Sequence, residues 1–130
     1  MTWNINCDRP IWIQLVEQLQ AALISGEFKP GEAVPSVRDL AADAQVNINT
    51  MQRALQELES RGLILPKDNR WRASGRVVTE DTARLDEIRH EYAGTILEDF
   101  TQRMRSLGLS DDEIVSEVTE YLSKLNSNGE

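Results

Sequence analysis

The 130-residue chain holds one cysteine, Cys7, and one histidine, His90. A lone thiol excludes a disulfide scaffold. Nucleophilic catalysis by Ser or Cys with histidine would have to use His90, which lies in an acidic stretch without a glycine-rich nucleophile turn nearby. Glycine-rich loops that cradle phosphate are missing too, so the sequence speaks against an enzyme and calls for no cofactor. No apolar run approaches the roughly 18 residues that cross a bilayer, and Met1 to Asp8 has neither a basic n-region nor an apolar h-region. The expectation is a soluble, cytoplasmic protein without a membrane partner. Basic charge is also in short supply: 14 Lys and Arg face 22 Asp and Glu, a net −8. That excludes a protein that coats nucleic acid with its whole surface, and leaves room for a local basic patch.

What is present is ordinary globular material, 40% hydrophobic and 28% charged, enough for the core of one or two small domains. No internal repeat is found. From Pro10, the residues Trp12, Leu15, Val16, Leu19, Ala22 and Leu23 recur at spacings of three and four, which predicts a helix stopped at Ser25-Gly26. In Phe28-Lys29-Pro30-Gly31, Pro presets the first corner of a type II turn and Gly tolerates the positive φ of the second. Val34 precedes Pro35 and is steered to extended geometry. Ser36 should cap a second helix, with Asp39 in a capping-box-like position and Val37, Leu40, Ala41 and Ala44 inward. After a break at Gln45-Val46, Asn47 or Asn49 should cap a third helix with Met51, Ala54, Leu55 and Leu58 inside, ended by Arg61-Gly62. Leu63-Ile64-Leu65 and Arg76-Val77-Val78-Thr79 read as the strands of a hairpin with a long loop. Leu85, Ile88, Tyr92, Ile96, Phe100, Met104 and Leu107 predict a long helix closed by Gly108. Ser110-Asp111-Asp112-Glu113 starts another through a capping box, with Ile114, Val118, Tyr121, Leu122 and Leu125 as its stripe. Asn126 to Glu130 should fray.

Two short helices joined across Gln45-Val46 have the form of a helix-turn-helix, and a following hairpin makes it a winged helix. The positions of the third helix not committed to the core are Asn47, Ile48, Asn49, Thr50, Gln52, Arg53 and Gln56. Asn and Gln suit adenine in the major groove, Thr and Asn hold phosphates, and Arg does either. A polar outer face on an amphipathic helix is by itself usually only solvated.

Further stretches narrow this. Pro10-Ile-Trp-Ile-Gln14, Ser25-Gly-Glu-Phe-Lys-Pro-Gly-Glu32, Pro35-Ser-Val-Arg-Asp-Leu-Ala41, Val46-Asn-Ile-Asn-Thr50 and Ala54-Leu-Gln-Glu-Leu-Glu-Ser-Arg-Gly-Leu-Ile64 resemble the N-terminal domain of GntR-family transcriptional regulators, over residues 10 to 65. The resemblance implies a dimeric winged-helix protein that binds double-stranded operator DNA. It implies contacts from Ser36 and Arg38 at the start of the second helix, and from the recognition-helix positions Asn47, Asn49, Thr50 and Gln52. Arg53 joins them by its place on the same face. About fifty residues follow the wing, with two helices and no strands, which resembles the YtrA-type subgroup, in which a small C-terminal part pairs two subunits. Two departures stand out. The wing's end reads Ala73-Ser-Gly-Arg-Val-Val78 instead of Gly-x-Gly-Thr-aromatic-Val, after a longer loop that carries Trp71 between Arg70 and Arg72. Gln45 replaces the glycine that commonly eases the turn, which should cost stability and spare function.

The charge divides unevenly along the chain. Residues 1 to 80 carry 9 basic and 10 acidic side chains, whereas residues 81 to 130 carry 5 and 12. Arg61, Lys67, Arg70, Arg72 and Arg76 against Asp68 give the wing a local +4, where phosphate would be met. Lys67, Arg70 and Arg72 are assigned to DNA by this charge alone. The expected fold is mainly α with a small β wing: a winged helix-turn-helix over residues 1–80, then a two-helix dimerisation segment over 81–130. The residues expected at the dimer interface are Leu85, Ile88, Tyr92, Ile96, Phe100, Met104, Ile114, Val118, Tyr121 and Leu122.

Blander readings go beside these. His90, four residues after Asp86, is half a metal site at most and reads as a surface or interface residue, so no metal is expected. Cys7, with only Arg9 as a basic neighbour and no resolving cysteine, reads as a plain small residue. Trp3 and Trp12 should pack the N-terminal arm on the first helix. Trp71 either packs on the wing's base or stacks on a sugar or partner. The leading expectation is a sequence-specific regulator, a repressor acting as a homodimer on a palindromic operator. The resemblance suggests control of a neighbouring transporter operon, and the residues identify no small-molecule effector. The rival is a winged helix used as a protein-protein interaction module, for which the +4 on the wing has no evident use.

Overall fold

The computed structural model describes residues 1–67 and 75–128, so Asp68, Arg70, Trp71 and Arg72 lie outside the described residues. Within these residues the chain forms two compact units, Met1–Arg89 and His90–Glu130. The first unit begins with an arm that two glutamines strap to helix α1 (Ile11–Ser25). The Gln18 side chain accepts from the Asn4 amide N–H at 2.9 Å and donates to the Asn4 carbonyl at 2.7 Å. Gln14, almost fully buried, does the same for Asn6 at 3.0 and 2.8 Å and also donates to the Arg9 carbonyl. A side-chain amide carries the donor and acceptor of a peptide group, so the arm's backbone is satisfied without a neighbouring strand.

Helix α1 closes at Gly26, whose φ of 88° returns its N–H to the Ala22 carbonyl. The turn that follows is the one the sequence predicts: Glu32 N–H donates to the Lys29 carbonyl at 3.0 Å, and Gly31 has φ 79°. A Cβ on Gly31 would meet Glu80 Oε1 at 2.7 Å, but that is the end of an exposed, flexible side chain that can move aside, so it is the positive φ that favours glycine here. The chain then enters β1 (Ala33–Val34), a strand the sequence reading foresaw only as extended geometry.

Helix α2 (Val37–Ala44) is capped by Ser36, whose Oγ accepts from the Asp39 N–H. It ends at Gln45 with φ 58° and ψ 48°, and Asn47 caps helix α3 (Ile48–Ser60). Leu63 follows, fully buried, then β2 (Ile64–Pro66) and β3 (Arg76–Val78). The sheet has the order β1-β3-β2 and is antiparallel throughout. Ala33 faces Val77 and Ile64 faces Val78, so the wing is a three-stranded sheet and not a two-stranded hairpin. Three strands with one apolar face are more stable than a bare hairpin. Lys67 N–H donates to the Gly75 carbonyl at 2.9 Å, one step beyond the last paired strand residues.

The core of this unit is the side of α1 that bears Leu15, Val16, Leu19 and Leu23, packed with α3, whose Met51, Ala54, Leu55 and Leu58 are buried, and α3 in turn packs with α2, whose Leu40 and Ala41 are buried. Val34, Ile64 and Val78 close it from the sheet.

Helix α4 (Thr82–Ser106) starts in the first unit, where Leu85 and Ile88 are buried and Arg89 donates to the Ile24 carbonyl. It continues through the second unit to a turn at Gly108, φ 88°. Helix α5 (Asp111–Asn128) begins with a two-way capping box: Glu113 N–H donates to Ser110 Oγ at 3.2 Å and Ser110 N–H to Glu113 Oε1 at 3.0 Å. It continues to Asn128, past the Asn126 at which fraying was expected. Among the described residues, no helix is long and apolar enough to cross a membrane.

Candidate nucleic-acid interface

Three pieces of the first unit meet around one groove of about 590 Å³. Pro35, Ser36 and Val37 supply the entry to α2, Gln52, Gln56 and Glu59 the outer face of α3, and Pro66, Gly75 and Arg76 the base of the wing. The core explains the arrangement. Met51, Ala54, Leu55 and Leu58 are pulled inward, and the helical period of 3.6 residues turns positions 49, 52, 53 and 56 away from the core. Asn49, Arg53 and Gln56 are exposed, and Thr50 and Gln52 are half-buried.

Capping occupies part of this surface chemistry. Asn47 Oδ1 accepts from Asn49 N–H at 2.7 Å, and Ser36 Oγ accepts from Asp39 N–H at 3.1 Å. Each cap satisfies an orphan donor at a helix start, which leaves the Asn47 amide nitrogen and the Ser36 hydroxyl proton as outward donors. Ile48, 42% exposed between the two asparagines, puts an apolar side chain among them.

The arginines separate into two groups. Of the nine among the described residues, seven (Arg9, Arg61, Arg76, Arg84, Arg89, Arg103 and Arg105) face a carboxylate within 4.0 Å. The two that have no such partner are Arg38 on α2 and Arg53 on α3, and both are exposed. Arg53 instead lies over the Trp12 ring, its guanidinium carbon 4.1 Å from the ring centroid. The structure also revises the wing's charge. Arg61 donates to Glu57 and to Gln20 Oε1, and Arg76 pairs with Glu59, so two of the five basic residues counted there are neutralised inside the protein. Lys67 is exposed, and Arg70 and Arg72 lie outside the described residues.

The other singled-out residues fall as follows. The Trp3 indole N–H donates to Asp43 Oδ2 on α2 at 2.7 Å, and Trp12 lies beneath α3's Arg53. Cys7 is exposed. His90 is exposed, and Asp86, which would have joined it at a metal, pairs with Arg89. No group of three or more His, Cys, Asp and Glu converges among the described residues. The carboxyls held below their usual range, Glu17 by its bonds from Arg9 and Glu113 by the Ser110 backbone, do not line the groove. Sequence reasoning singled out neither Trp12 under Arg53 nor the Glu59–Arg76 pair. Their partners are 41 and 17 residues apart, and no local spacing announces them.

Among the residues assigned to a dimer interface, Leu85, Ile88 and Ile114 are already buried within a single chain. Tyr92, Phe100, Met104 and Val118 are half-buried, and Ile96, Tyr121 and Leu122 are exposed, together with Leu97, Leu107, Val115 and Leu125. Ile96, Phe100 and Met104 of α4, with Leu107 just past its end, line a shallow concavity.

Comparison with known proteins decides what the helix-turn-helix belongs to. Residues 13–70 match the family described as bacterial regulatory proteins, gntR family. The HTH-type transcriptional regulator YhcF of Bacillus subtilis is 31% identical over 113 residues, 87% of this chain and 90% of that protein. The chain belongs to the gntR family. The HTH-type transcriptional repressor YtrA of Bacillus subtilis is 42% identical over 55 residues, which are 42% of each protein. A solved GntR family transcriptional regulator from Listeria monocytogenes is 30% identical, with a TM-score of 0.81 over 89% of this chain and 98% of that one. The fold is therefore the GntR winged helix, and the likeness runs past residue 70 into the C-terminal helices. The gntR family is one of regulators, not of enzymes.

Proposed function

We propose that this GntR protein is a sequence-specific DNA-binding repressor that acts in the cytoplasm as a homodimer on a palindromic operator beside a nearby operon. The observation that carries the reading is the pair of uncompensated arginines. Arg38 and Arg53 stand on the outer faces of the helix-turn-helix, while the other described arginines are matched to acids. Unpaired guanidinium groups beside Asn, Gln and Thr suit phosphate and base edges together.

In this reading each α3 enters a major groove with Asn49 and Gln52 toward base edges. Ser36, Asn47 and Thr50 bond phosphate, and Arg38 and Arg53 supply charge-assisted bonds. Lys67, with Arg70 and Arg72 beyond the described residues, meets the flanking backbone. Residues 1–80 read DNA, and residues 81–130 pair two subunits through Tyr92, Ile96, Phe100, Met104, Val118, Tyr121 and Leu122. The net −7 of that segment keeps it away from the phosphates. The similarity to YtrA, a transcriptional repressor, supports repression over activation.

The test is gel-shift binding to the DNA upstream of the protein's own gene at two salt concentrations. Wild type gives a specific, salt-sensitive shift. Arg38→Ala weakens it by about 1–3 kcal/mol while the thermal melt stays put. No specific shift, with Arg38→Ala behaving as wild type on any DNA, would sink the proposal and favour a protein-interaction module.

A further inference from the structure

The contact between Arg53 and Trp12 joins the outer face of α3 to the first turn of α1, and nothing in the local sequence around either residue requires it. From it we infer that Trp12 is a positioning residue for DNA binding: its indole holds the Arg53 guanidinium in the orientation that meets a backbone phosphate. The inference rests on the DNA-binding reading proposed above and adds to it a residue outside the helix-turn-helix.

The geometry supports it in three ways. Among the described residues Arg53 has no carboxylate within 4.0 Å, so the aromatic face is its restraint, not an addition to an ion pair. A guanidinium over an indole, here 4.1 Å from the ring centroid, is held by the ring without committing its N–H groups to an acceptor, and those N–H groups are what bond phosphate oxygens. The ring is itself well anchored. Trp12 is half-buried and is followed along α1 by Gln14, Leu15 and Val16, all 2% exposed or less. A phosphate therefore finds an arginine whose rotamers are already restricted, so less conformational entropy is lost on binding. A salt bridge in Trp12's place would hold the side chain equally still but would cancel the charge that DNA needs.

A double-mutant cycle on the full-length protein tests this, with the duplex upstream of its own gene as probe. Trp12→Leu weakens binding about two- to fivefold, the value of a partly exposed cation–π contact. It leaves the dependence of affinity on salt unchanged, because the charge remains. Arg53→Ala weakens binding and lowers the salt slope by about 1. In the Arg53→Ala background, Trp12→Leu has no further effect. Trp12→Phe, which keeps a ring with a weaker quadrupole, guards against a general packing defect: it loses less affinity than Trp12→Leu, again only while Arg53 is present. An equal loss with and without Arg53, or no loss at all beside a lowered melting temperature, makes Trp12 a packing residue and overturns the inference. If instead Arg38→Ala and Arg53→Ala both bind as tightly as wild type, the DNA-binding reading has failed and takes this inference with it.

Discussion

Gln45 sits in the left-handed region, φ 58° and ψ 48°, at the joint between α2 and α3, and its N–H donates to the Ala41 and Ala42 carbonyls. Among the described residues it is the one non-glycine with positive φ. A Cβ is strained there by about 1 kcal/mol or more, whereas glycine is not. Gln45→Gly relieves that strain and gives back part of the gain as unfolded-chain entropy, so it should raise stability by about 0.5–1 kcal/mol, read as a higher urea midpoint at unchanged slope. A lower midpoint would mean that the Gln45 side chain contributes more than its backbone costs. The same residue shows what single-residue reading can reach. Its oddity was legible only as a departure from the GntR pattern, since the left-handed φ is set by the helix-turn-helix geometry and not by glutamine's own preference.

At the scale of elements, the two serine-capped helices differ by one methylene in the residue three positions on, Asp39 against Glu113. At α5 the box is reciprocal, with Ser110 N–H reaching Glu113 as well as the reverse. At α2 the Ser36 hydroxyl accepts from Asp39 N–H, but among the described residues no bond returns from Ser36 N–H to the shorter Asp39 carboxylate. The return bond holds the Glu113 carboxyl below its ordinary value of 4.5, the Ser110 backbone donor acting most strongly. A depressed carboxylate pKa stabilises the folded state above the unfolded value, and that contribution disappears as pH falls through the folded one. Circular dichroism should therefore show helix loss in wild type as pH drops below 4.5. Glu113→Gln should lose less signal over that interval while starting from a lower melting temperature. Identical acid titrations for the two proteins would mean that the box contributes nothing to α5. The elements themselves were largely legible: the helices follow apolar spacings of three and four, and Ser36, Asn47 and Ser110 announce their starts. β1 was not, because a two-residue strand has no period to read. It exists because Ala33 and Val34 find Val77 and Arg76 across the sheet.

For the whole molecule, the decisive quantity is apolar surface that one chain leaves uncovered. Tyr121 is 64% exposed, Ile96 56% and Leu122 51%, on helices whose Leu85, Ile88 and Ile114 are already inside. A second copy of the chain is the proposed cover, and a two-fold pair would present two α3 helices to successive major grooves. Leu122→Asp places a charge in that seam and should halve the mass seen by light scattering. It should also make binding to the upstream duplex much weaker, while each chain keeps its helical spectrum. A variant that stays dimeric would contradict the assigned role of α5. The compact unit that ends at Arg89 also carries Leu85 and Ile88, so those two belong to the reading head's own core. Apolar spacing alone could not separate them from the seam, because core and interface positions have the same period.

The sequence by itself determined what depends on residues within a few positions of each other: where helices start and stop, the Pro30-Gly31 turn, the polar outer face of the third helix, and the division of charge between the two parts of the chain. These follow from backbone sterics, capping and helical periodicity, which act locally. Only the tertiary structure decided which charges remain available. Arg61 is taken up by Glu57 and Gln20, Arg76 by Glu59, and Arg84 and Arg89 by acids on α4, while Arg38 and Arg53 are left over. Whether an arginine is spent or free depends on which distant segment the fold brings beside it, as it brings Trp12 beneath Arg53.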